Sequence, residues 1–199
     1  MGPEQEGEGL SVSQEFVHLR VHSAFSLSEG ALTTKDIVNL CTVNKMAAVA
    51  VTDTNNMFGA LEHSTTFADA GIQPIIGCTL NVRTVDDKTL QGMSRTQQEA
   101  AEHAQMVFLV QNETGYANLI RLVSKAYMAS DGVSDPHIEL IDLATDNDGL
   151  IALAGGPDGP VGQLLQQDHL DDAKALMETL AGYFPGRLYI EIMRHGDMA

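Results

Sequence analysis

Polar and apolar residues alternate from Phe16 to His22. Phe16, His18, Arg20 and His22 fall on one side of an extended strand, and Val17, Leu19 and Val21 on the other. The strand runs straight into SAFSLSEG, so polar side chains collect where it ends and feed a polar pocket. Thr33 or Thr34 caps a helix reaching about Asn44, with Ile37, Val38, Leu40 and Cys41 facing inward. Residues 47–52 are a short apolar run closed by Asp53, as in a buried parallel strand. The loop Thr54-Asn55-Asn56 leads into a helix over 59–70, Gly71 ends it, and residues 73–82 form a third strand.

Residues 83–104 are polar and aperiodic, which predicts a surface hairpin or insertion. A strand at 105–110 precedes an amphipathic helix over 114–128, carried by Tyr116, Leu119, Ile120, Val123 and Tyr127. A short helix is expected near 138–143, and a buried strand at 149–154 ending in the turn GGPDGP. A helix over 170–182 and a last strand at 187–192 complete the series, with no helix after it. Strands alternating with helices predict an α/β fold, in which sites lie at the carboxyl ends of the strands, in barrels and open sheets alike. The residues at those ends are His22, Asp53, Thr79, Gly155 with Gly156, and Glu191 with His195.

Charge narrows the function. The 199 residues carry 11 Lys+Arg against 27 Asp+Glu, a net charge of −16. Duplex binding rests on cationic side chains neutralising phosphates, so this chain does not grip DNA by itself. Cys41 and Cys78 lack CxxC spacing and sit in apolar contexts, reading as reduced and buried in a cytoplasmic protein. No apolar run approaches the ~20 residues of a membrane span. Residues 1–15 read as a flexible acidic leader, not a secretory signal, and 16–199 as one domain.

The segments FVHLRVHSAFSLSEGA, AVTDTNNMFGALE, GIQPIIGCTLNV, FLVQNETGYANLIRLVSKAY, GLIALAGGPDGPVGQ and LYIEIMRHG together resemble the PHP domain that begins bacterial DNA polymerase III alpha subunits. The resemblance implies a distorted (βα)7 TIM-like barrel, here truncated at its carboxyl end by the last strand or two. It also implies a parent polymerase whose nucleotidyl-transfer carboxylates and Mg²⁺ lie outside this chain. The expected partners are the rest of the alpha chain and a separate proofreading exonuclease subunit.

Active members of the family hold divalent metals at the strand ends. Carried over position by position, the opening His-x-His becomes Arg20-Val21-His22, and a guanidinium can neither ligate nor tolerate a metal. Glu29 keeps the loop acid. The Asp-His pair becomes Asp53-Thr54, the third-strand Glu becomes Thr79, a strand-opening His becomes Gln105, and a Cys becomes Gly156. Only Glu191 and His195 keep the metal-binding character. The resemblance thus implies a degenerate pocket with no catalytic residue or metal, in which Arg20 pairs with Asp53, Glu29 or Glu191. His22, Asp53 and His195 are the candidates for any residual metal. The rival is an active metal-dependent phosphoesterase or 3′–5′ exonuclease in this pocket. An inactive stand-alone fragment and an error-prone paralogue are further alternatives.

Other conspicuous residues have plainer readings. His18 opens a strand with a structural hydrogen bond, and His63, His103, His137 and His169 default to the surface. The acidic pairs 86–87 and 171–172 are solvated, Ser23 and Ser26 have no His/Asp relay, and Asn55-Asn56 shape a loop.

Overall fold

The computed structural model describes residues 16–85, 92, 94–96, 104–129 and 135–192. The expected leader, the acidic pair 86–87, His103, His195 and most of the expected insertion at 83–104 lie outside those residues. The strands are β1 (His18–Val21), β2 (Ala48–Val51), β3 (Gln73–Arg83), β4 (Gln105–Val110), β5 (Ile138–Glu139), β6 (Leu150–Leu153) and β7 (Leu188–Tyr189). The helices are α1 (Thr34–Val43), α2 (Ala60–Asp69), α3 (Glu113–Ala129), α4 (Pro160–Gln166) and α5 (Leu170–Tyr183). The sheet order is β1-β2-β3-β4-β6-β7, with β5 beside β3.

β1, β2 and the first half of β3 are parallel, as the alternation of strands with helices predicts. β4 runs antiparallel to both β3 and β6, a direction the sequence-based reading left open. An antiparallel neighbour starts where the previous strand finished and needs no crossover, and an apolar run carries no mark of its direction. β3 matches the expected strand to within a residue, and Thr79 lies inside it rather than at its end, past the β2 register and within the pairing with β4. β1 and β7 are shorter than the alternating runs that contain them. α4 was not expected: Gly155 turns the chain at φ +82°, and Gly159 and Pro160 start a helix.

Strands buried on both faces explain the three core clusters. Met106 and Phe108 of β4, with Leu150 and Ala152 of β6, point outward to Leu119 and Leu122 of α3 and Leu180 of α5. Val107, Leu109 and Leu153 point to the inside of the curl with Ala50. Val49 and Val51 meet Ile37, Cys41 and Phe67 of α1 and α2. The α1 start is a reciprocal cap, Thr33 Oγ1 with the Asp36 backbone and Asp36 with the Thr33 amide.

On α3 the buried stripe is Gly115, Asn118, Leu119, Leu122 and Ala126. Tyr116, Ile120 and Tyr127, expected inward, are 42–48% exposed, so the helix is rotated from the sequence-based expectation. Leu119→Ala should cost about 2–5 kcal/mol and Ile120→Ala no more than about 0.5 kcal/mol in urea denaturation. Equal losses would contradict this orientation.

Candidate functional site

Parallel β1 and β2 end side by side, which brings the loop after β1 against the carboxyl end of β2. Buried Asp53 collects that loop. Its Oδ1 accepts from the Ser23 amide at 2.7 Å and from Ser26 Oγ at 2.6 Å, and its Oδ2 accepts from Ser23 Oγ at 2.7 Å. His63 Nε2 lies 3.7 Å from Oδ2, an electrostatic contact too long for a hydrogen bond. His63 Nδ1 is 3.2 Å from Thr34 Oγ1, and its ring stacks on Phe67. Gly59 leaves room for that ring, since a Cβ there would stand 2.3 Å from His63 Nε2. Burial opposes ionisation of Asp53, but His63 and the hydrogen bonds from Ser26 and Ser23 outweigh it, holding the carboxyl below its usual range.

His22 Nδ1 is 3.0 Å from Glu29 Oε2, and Nε2 is 3.4 Å from Thr79 Oγ1. Burial lowers the His22 pKa, Glu29 pulls it back and Arg20 pushes it down again, leaving it below the ordinary value. Glu29, facing His22 Nδ1, also accepts from Thr54 Oγ1. Thr79 donates to the Thr52 carbonyl at 2.8 Å.

Of the three carboxylates expected as partners, Arg20 meets Glu191. It pairs with Glu191 at 3.4 Å and donates to Gln105 Oε1 at 2.8 Å, and does not bond Asp53 or Glu29. Val21 is level with Val51, so Arg20 sits near the level of Ala50, three residues short of Asp53 and roughly 10 Å below it. Gly156 (φ +59°) lies apart from His22, in a groove of about 630 Å³ it shares with Glu191, Val161 and Met177.

His63 and His137 are buried rather than exposed, at 4% and 8%; His63 meets Thr34 and Asp53 on other elements, and His137 Nδ1 lies 2.9 Å from the Asp135 carbonyl. His169 is exposed, and the His18 ring packs edge-on against Phe16. Asn55 and Asn56 do shape the loop after β2, binding the Asn81 amide and the Phe25 and Thr54 carbonyls. Cys41 and Cys78 are both buried, and burial pushes both thiols up. The sequence-based reading missed Ser23, Ser26, Thr34 and His63 as one network. The available signal was that consecutive parallel strands place their following loops together.

Among the described residues, which leave out His195, the strand-end donors are already engaged by protein partners. Both Asp53 oxygens and Glu29 accept bonds from protein donors, and a guanidinium stands between Gln105 and Glu191. Among the described residues no three His, Cys, Asp or Glu converge on one point.

A curled α/β sheet with its polar groups gathered at strand ends defines a barrel-type domain. The PHP domain family model matches residues 18–195, and the chain belongs to that family. It is 40% identical to the DNA polymerase III subunit alpha of Caulobacter vibrioides over 92% of this chain and 15% of the relative. It is 36% identical to that of Rickettsia bellii over 91% of this chain and 14% of the relative. The chain thus spans about 15% of the length of such relatives. A solved amidohydrolase from Chromobacterium violaceum aligns over 87% of this chain and 84% of its own, at TM-score 0.48 and 17% identity.

Because Asp53 titrates below its unfolded value near 3.8, its stabilisation is complete above about pH 4 and is lost as pH falls through the folded value. Asp53→Asn should lower stability at neutral pH by about 1–3 kcal/mol. It should also flatten the fall in stability below about pH 4. Urea denaturation from acid to neutral pH measures both, and an unchanged acid slope would contradict the assignment.

Proposed function

We propose that this chain is the PHP region of a replicative DNA polymerase III alpha-type polypeptide and that it serves as a structural and docking module, not as a catalyst. The observation that carries this reading is Arg20. A permanent cation, hydrogen-bonded to Gln105 and paired with Glu191, stands where the family's opening imidazole would ligate metal. It supplies the positive charge that a pocket of carboxylates requires, without an exchangeable coordination site.

On this reading the longer polypeptide extends primed DNA from deoxynucleoside triphosphates in the cytoplasm, using Mg²⁺ held by carboxylates outside these 199 residues. DNA contact falls to the rest of that polypeptide, because a chain of charge −16 repels phosphates. The PHP region supports the polymerase core and docks a separate proofreading exonuclease subunit. No helix of the described residues is long and apolar enough to cross a membrane.

Elemental analysis of the purified chain after incubation with Zn²⁺ and Mn²⁺ tests the reading. Less than about 0.1 ion per chain is expected, together with no release of nucleotides from a 3′-labelled primer. Stoichiometric metal that His22→Ala removes, accompanied by phosphodiester cleavage, would establish the phosphoesterase alternative instead.

A further inference from the structure

The loop after β1 sorts its side chains by polarity. Ser23 and Ser26 turn in to Asp53, while Phe25 and Leu27 turn out. Asn56 ties that loop to the next one, donating to the Phe25 carbonyl and accepting from the Phe58 amide at 3.2 Å. Phe58 precedes α2, whose first turn presents Leu61. Leu27 is 86% exposed, Phe58 72%, Leu61 78% and Phe25 37%, all within the continuously described residues 16–85.

Three observations say what this patch takes. First, area: at roughly 150–250 Å² per large side chain, the four expose about 450 Å², the size of the largest patch on a typical monomer, where function is common. Second, rigidity: three hydrogen bonds to buried Asp53 fix the loop, Ser28 sits in the left-handed region at φ +68°, and a Cβ at Gly30 would stand 2.0 Å from the Ser23 carbonyl oxygen. A partner therefore meets a surface that is already ordered, and little entropy is lost in fixing it. Third, charge: a hollow of about 220 Å³ beside Phe25 has Glu62 and Thr33 on its walls, and Asp36, hydrogen-bonded to Thr33, stands at the same edge. Glu62 and Asp36 outnumber Lys35 there. An edge of that sign repels the phosphates of nucleic acid and lipid and attracts ammonium and guanidinium groups.

We propose that the patch of Leu27, Phe58 and Leu61 docks a polypeptide segment whose apolar side chains are flanked by lysine or arginine, the apolar groups lying on the patch and a cation entering the hollow at Glu62. The inference rests on the docking reading above and gives it a place, the loops at the carboxyl ends of β1 and β2. A contact of this size is weak and transient, and opposite charge speeds the encounter.

The test is fluorescence anisotropy of a labelled synthetic peptide of about 12 residues, alternating leucine and lysine, titrated with the full 199-residue chain to about 1 mM. A dissociation constant on the order of 100 µM is expected. The triple variant Leu27→Ser, Phe58→Ser, Leu61→Ser should bind at least tenfold more weakly, whereas Val43→Ser, a comparably exposed change on α1, should leave binding unchanged. Glu62→Gln should weaken binding and flatten its salt dependence. A peptide with serine in place of leucine should bind at least tenfold more weakly than the parent peptide, and one with glutamate in place of lysine not at all. The substituted side chains are exposed, so none leaves a cavity, and thermal melting confirms that each variant folds. No binding at about 1 mM, a triple variant that binds as tightly as the parent chain, or equal binding of the serine peptide would each overturn the proposal. Failure of the docking reading shows differently, as bound metal with phosphodiester cleavage.

Discussion

The Asp53 carboxylate follows β2 inside the protein, and three segments are positioned by what it binds. The loop after β1 delivers one amide and two hydroxyls, from Ser23 and Ser26. α2 delivers the His63 ring, and through that ring Thr34 brings in the first turn of α1. A buried carboxylate without such donors would be neutral or unfolded, so the loop conformation and the ionised state require each other. Gly59 belongs to the same constraint, because a side chain there would occupy the place of the His63 ring.

A second polar centre lies below the first, where Arg20 reaches across the inside of the curl to β4 and to the residue two beyond β7. Carboxylates gathered at strand ends need positive charge, which a metal or a guanidinium can provide. The two differ in consequence. A metal retains sites for water and substrate, whereas Arg20 has directed donors that Gln105 and Glu191 already engage. On the proposed reading, this exchange keeps the barrel's architecture while removing the means of hydrolysis, leaving surfaces rather than a reaction centre as the working part of the domain.

Much of this was legible along the chain. A period-two run located β1, the capping threonine located α1, and the apolar stretches closed by Asp53 and Gly155 marked β2, β6 and their ends. What the chain left open or misread has a common origin. The direction of β4 and the rotation of α3 are not properties of a segment but of what it packs against. An apolar run suits either strand direction, and a helix with apolar residues on more than one face takes the orientation that best fills the core. His63 was given the surface by default because its partners lie at positions 34 and 53, on other elements.

The sequence by itself determined the alternation of strands and helices, membership in a barrel-type family and the residue types available at the strand ends, because these depend on local periodicity and on chemical identity. Only the tertiary structure decided that Arg20 serves Gln105 and Glu191 rather than Asp53. That choice depends on the register of β1 against β2 and on the curl that brings the sheet's two ends together. Both are set by side chains far apart in the chain, which pack only once the sheet has closed on itself.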